Sequence, residues 1–201
     1  LACVFGSSSN GYCVVHNLSL KKTQRLVKNM KGIIQRVTFH PHKPYVAVAS
    51  LKKLVVYDLQ KGKTVQKLKV PTQCITDIEF HPSGDHMIVS TFDKKCFWYD
   101  LQLSTEPFKV MRLHTKPTRA LSVHKTLPLF ATIGDDAEIQ VMHGMASSEL
   151  TEDANIIPIV KLTGHEKKGN LGGTDLVFHP FLPWLYSTGA DGTVQWYSDW
   201  F

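Results

Sequence analysis

The tripeptide Phe-His-Pro begins at Phe39, Phe80 and Phe178, and a reduced copy, Val123-His124-Lys125, falls between the last two. Aligned on these anchors, "FHPHKPYVAVAS", "FHPSGDHMIVST", "VHKTLPLFATIG" and "FHPFLPWLYSTG" superpose without a gap, at intervals of 41, 43 and 55 residues. A unit of about 40 residues has too little core to stand alone, so a chain repeating at this period must stack like units face on face. Most fold classes are excluded by that alone.

Within the unit, Pro44, Pro128 and Pro183 share one offset, and Asp85 takes their place in a "PSGD" turn. Both are turn chemistry, and the runs that follow, "YVAVAS", "MIVST", "LFATIG" and "WLYSTG", have strand rather than helix character. Asp93, Asp136 and Asp191, each thirteen residues past the anchor, open a second turn into "KCFWY", "EIQVM" and "TVQWY". The first copy is one residue shorter there, and its "SLKKLVVYDL" has no such Asp. With a short strand before each anchor and a more irregular one after, the unit is four antiparallel strands, the pattern of a β-propeller blade. The fold expected is all-β, with a partial blade over 1–30, blades over 31–70, 71–113 and 114–163, and a partial blade over 164–201, eighteen strands in all. At about 40 residues per blade these are four to five blades of a seven-bladed ring, the C-terminal part of a larger propeller whose other blades lie elsewhere.

Composition narrows the chemistry. No uncharged apolar stretch reaches the roughly 18 residues that span a bilayer, and "LACVFGSSSN" is unlike a signal peptide, so a soluble, intracellular protein is expected. Cys3, Cys13, Cys74 and Cys96 lack zinc-site spacing and suit buried reduced thiols. Phosphate loops, nucleophile elbows and His-Glu-x-x-His are absent from the sequence. No enzyme activity, cofactor, metal or small-molecule substrate is expected. His40, His81, His124 and His179 recur with the fold period, which catalysis would not do; a polar group bonding the backbone of a turn explains all four.

The excess of 23 Lys and Arg over 17 Asp and Glu, +6, favours an anionic partner. Lys21, Lys22, Arg25, Lys28 and Lys31 cluster around one outer strand, and Lys61, Lys63, Lys67 and Lys69 around the next. Side by side they would form a positive stripe able to hold the phosphates of RNA. The 55-residue interval inserts "HGMASSELTEDANI", whose middle, from Ser147, could form one helical turn at a partner-binding surface.

The Gly164-His165 pair, the turn Asp191 and the "YDL" endings at Tyr57 and Tyr99 resemble the WD-repeat family, although Tyr or Met replaces the usual Trp. Since His165, and at a stretch His114, are the candidates for the Gly-His histidine, the family's hydrogen-bond network should be incomplete in the first two copies. More specifically, "DLQLSTEP" from Asp100, "HGM" at His143, "IIPIVKLTGHE" and "VFHPFLPWLYSTGADGT" resemble the C-terminal propeller of the block-of-proliferation family of eukaryotic ribosome biogenesis proteins. The resemblance implies a non-enzymatic scaffold of the nucleus, nucleolus and nucleoplasm, acting in large-subunit (60S) assembly and pre-rRNA processing. It further implies a three-protein complex with a pescadillo-type protein and a second WD-repeat protein, bound to the pre-60S particle and away from membranes. A WD-repeat adaptor recognising peptides or histone tails at a channel mouth is the alternative.

Overall fold

The computed structural model describes residues 2–6, 10–26, 30–72, 74–145 and 155–198. Among them, nineteen strands form five antiparallel sheets, and no helix occurs. The first sheet contains β1 (Ala2–Gly6), β2 (Asn10–Asn17), β3 (Lys22–Arg25) and β4 (Met30–Lys31); the second runs β5 (Ile34–Phe39), β6 (Tyr45–Ser50), β7 (Leu54–Asp58), β8 (Lys63–Leu68). The third runs β9 (Ile75–Phe80), β10 (His86–Thr91), β11 (Lys95–Asp100), β12 (Lys109–Arg112), and the fourth β13 (Thr118–Val123), β14 (Leu129–Gly134), β15 (Glu138–Met145), β16 (Asn155–Thr163). The last comprises β17 (Gly173–Phe178), β18 (Leu185–Gly189) and β19 (Val194–Tyr197). The strand beyond the expected eighteen is β4: β2 is eight residues long, so β3 pairs with one half and β4 with Asn10 and Gly11.

The middle strands are apolar at almost every position because both of their faces are covered. In the second sheet, Ala47, Ala49, Leu54 and Val56 pack on Met87, Phe97 and Tyr99 of the third, while Val48 and Val55 turn the other way, towards Cys13 and Met30. Trp98 and Ile88 meet Phe130 and Met142 between the third and fourth sheets; Ile133 and Val141 meet Leu176 and Leu185 between the fourth and fifth. Sheet on sheet, this is propeller packing. Arg36 on β5 reaches Asp77 on the neighbouring inner strand (3.0 Å) and Asp175 on β17, two sheets further on (3.7 Å). Inner strands so arranged curve around a common axis.

Each anchor histidine fastens the turn that follows it, and His124 also joins two sheets. His40 Nδ1 accepts the backbone N–H groups of His42 and Lys43 (3.0 and 2.9 Å), His124 those of Thr126 and Leu127 (3.2 and 3.0 Å), and His179 those of Phe181 and Leu182 (3.2 and 3.0 Å). His81 accepts that of Ser83 (3.2 Å). With Nδ1 an acceptor, the proton sits on Nε2, and His124 donates it to the Leu182 carbonyl of the sheet that follows, at 3.0 Å. A second proton would aim Nδ1–H at N–H donors. Burial already pushes His81 down to about 4 and lowers His40.

The turn aspartates split into two kinds. His114 Nδ1–H donates to Asp136 (3.0 Å), with the Thr132 hydroxyl 2.9 Å from Nε2, and His165 repeats this with Asp191 (3.1 Å) and Ser187 (2.7 Å). Burial alone would raise the Asp136 carboxyl, but hydrogen bonds from His114 and the amides of Thr115 and Glu138 hold it at about 2; Asp191 is held low chiefly by the Thr193 and Glu166 amides. These rings fit because a glycine faces them: a Cβ at Gly134 would stand 2.9 Å from His114 Nδ1, and one at Gly189 closer still to His165 Nδ1. Thr91 and Ser50 occupy the equivalent positions in the other two copies, and there a hydroxyl replaces the ring. The one Thr91 hydroxyl proton is shared between the Asp93 carboxylate and the Lys95 carbonyl, and Ser50 Oγ accepts the Lys53 N–H at 3.2 Å. The histidine-centred network is accordingly confined to the two later copies.

The structure departs from strict repetition at two points. Phe39 does not pack between sheets as Phe80 and Phe178 do: they are 5% and 6% exposed, but Phe39 is 42% exposed. Nor is "HGM" part of an inserted loop. β15 runs on to Met145 and β16 starts at Asn155, the register shifting at Val141/Met142, so the insertion lengthens a hairpin. The helical turn expected from Ser147 falls on residues 146–154, outside the described ones.

Candidate nucleic-acid interface

The outer strands of the first two sheets carry the lysines singled out in the sequence. Lys22 and Arg25 are at the ends of β3, all four of whose residues are exposed, and Lys21 sits in the preceding turn with φ of 50°, where Asn17 Oδ1 accepts the Leu20 N–H at 3.0 Å. The Arg25 guanidinium covers the Tyr12 ring at 4.3 Å, a cation–π contact that holds the charge at the surface. Lys61 is in the turn before β8, and Lys63, Lys67 and Lys69 follow along that strand and just past it, all exposed. Of Lys31 the structure describes the backbone, in β4, and Lys28 lies outside the described residues.

The two groups adjoin. Gln24 of β3 lies against the β7–β8 turn, its Nε2 3.4 Å from where a Cβ on Gly62 would be. The edge of β3 thus faces the turn that carries Lys61 and leads into Lys63. Farther along, the two sheets part to leave a cleft of about 530 Å³ over Met30, Val55 and Tyr57, edged by Lys52, Lys53, Lys67 and Lys69. Among the described residues, no carboxylate lines it. Lys69 is the least available of the four: its ammonium bonds Glu106 at 2.8 Å, which raises its pKa.

Lys52 and Lys53 escape a reading for lysine-rich runs because they stand in a turn, away from either run. A signal is nonetheless present. They fill the shortened turn that lacks the repeat's Asp, so a position acidic in three copies is cationic in the first. No group of three or more His, Cys, Asp or Glu able to hold a metal occurs among the described residues. Cys13 and Cys96 are buried thiols and Cys74 is partly buried; burial pushes the Cys96 thiol up to about 12.

The repeat model of the WD domain, G-beta repeat, matches residues 62–100 and 157–198. Each match opens on an outer strand and closes on the third strand of the next sheet, so the Lys63–Lys69 edge begins one repeat unit. Proteins called "Ribosome biogenesis protein BOP1 homolog" from Drosophila sechellia, Drosophila yakuba and Drosophila melanogaster are each 41% identical to this chain over 198 residues, 98% of the chain. The chain belongs to the block-of-proliferation family. It spans about a quarter, 25%, of the length of the curated relatives it matches.

Proposed function

We propose that the chain acts in ribosome biogenesis as a non-catalytic scaffold of the nucleolus and nucleoplasm, in processing of large-subunit pre-rRNA and assembly of the 60S particle. The observation that carries this is likeness at 41% identity over nearly the whole chain to proteins named for ribosome biogenesis. A cationic edge formed by Lys21, Lys22, Arg25, Lys61 and Lys63 supports direct contact with precursor RNA, since such an edge gains affinity from counterion release without reading sequence. Rigid stacked sheets suit positioning rather than chemistry. In this reading the loops and outer strands bind a second WD-repeat protein and the RNA, and a pescadillo-type protein joins through the rest of the polypeptide.

Affinity purification from growing eukaryotic cells tests the proposal. Recovery of a pescadillo-type protein, a second WD-repeat protein and large-subunit precursor RNA is the expected result. Purification of the protein with peptide- or histone-bearing partners and without precursor RNA would instead favour an adaptor role outside ribosome assembly.

A further inference from the structure

We propose that the cleft between the first and second sheets takes an unstacked base of single-stranded RNA, with the flanking phosphates on Lys52, Lys53 and Lys67; this rests on the RNA-binding reading above and gives it a strand type and a place. At about 530 Å³ the cleft is within the range of about 300–1,000 Å³ usual for small-molecule sites, with room for a base and its sugar. Its walls are apolar at Met30, Val55 and Val70 and aromatic at Tyr57, surfaces that favour a π-face over water. Its edge is cationic and, among the described residues, free of carboxylates. A ligand matching both must carry anionic charge immediately beside a flat apolar group.

A duplex presents its phosphates with the bases stacked inside, so it would leave the walls unfilled. An acidic peptide could answer the lysines, but cationic charge recurs past the cleft at Lys61, beside the Gly62 turn against which Gln24 of β3 lies. Such an arrangement suits a polyanion whose every unit pairs a charge with a π-face. Single-stranded RNA has that chemistry.

Fluorescence anisotropy with the intact protein tests this, using a 12-nucleotide oligouridylate, the same strand with its central bases removed, and an RNA duplex of equal length. Lys52 and Lys53 are exposed in a turn, so Lys52→Glu with Lys53→Glu leaves the fold intact, which circular dichroism checks. The expected result is that the intact strand binds at least about tenfold tighter than the abasic one, and that the double variant removes this preference while duplex affinity changes by less than about threefold. Equal binding of intact and abasic strands, or a preference unaltered in the double variant, overturns the cleft proposal. If RNA binding then still falls in Lys21→Glu, Lys22→Glu, Arg25→Glu, the broader RNA reading survives; no RNA binding in any form ends both. A polyglutamate peptide whose binding disappears in the double variant, with RNA binding unchanged, assigns the cleft to a protein ligand and also overturns it.

Discussion

At the scale of single residues, His124 is fully buried, accepts two N–H groups of its own turn and donates to a carbonyl of the next sheet. No other side chain offers a rigid acceptor and donor at this separation. His124→Ala removes a fully buried ring and leaves three part-buried backbone groups without that partner, and the expected loss is about 2–4 kcal/mol in denaturant unfolding. On the inner strand β9, burial pushes the Asp77 carboxyl up to about 6 and Glu79 up to about 7, although both accept amides of β13, from Leu121 and Val123 respectively. A carboxyl with a raised folded pKa binds its proton more tightly in the native state. Its contribution is therefore full below the unfolded value, near 4.5, and is lost as pH rises through about 7. Glu79→Gln keeps an acceptor for Val123 without the buried charge. The variant should exceed the parent by about 1–2 kcal/mol at pH 8, the difference vanishing by about pH 4.5. A difference that holds constant across pH would remove the buried charge as its cause.

At the scale of the element, turn and strand chemistry is largely legible in the order of the residues. The repeat aligned on Phe-His-Pro locates the inner strands, and Pro44, Pro128 and Pro183 mark where the second strands are about to begin. The same alignment holds a finer clue in its last column, Ser50, Thr91, Gly134 and Gly189, since a ring needs the glycine beneath it. Gly134→Thr should therefore expel His114 from Asp136 and lower stability by about 2–4 kcal/mol, measured by thermal unfolding. A variant as stable as its parent would mean the pocket tolerates a Cβ, against the geometry. Other features are hidden from the sequence for physical reasons. Exposure at Phe39 depends on how far a neighbouring sheet reaches, which its own alternation does not record; β4 exists because β2 is long enough to pair twice. The cleft depends on Lys52 and Lys67 meeting across strands, a proximity set by β7–β8 pairing rather than by spacing.

At the scale of the whole molecule, the repeating residues build the frame and the residues that do not repeat supply the binding edge. Histidines, aspartates and glycines at blade offsets order the turns of the frame; Lys21, Lys22, Arg25, Lys61 and Lys63 sit outside that scheme, exposed on outer strands and their turns. Charge reversal there should spare the fold while weakening RNA binding, and flatten its salt dependence by about 0.7 in log–log slope for each phosphate no longer neutralised. The most direct test is cross-linking of the protein to RNA in cells, comparing the parent with a variant in which those five residues are glutamate. The account predicts that large-subunit precursor RNA dominates the cross-linked material of the parent and falls at least about tenfold in the variant. Equal recovery of that RNA from both proteins would contradict it.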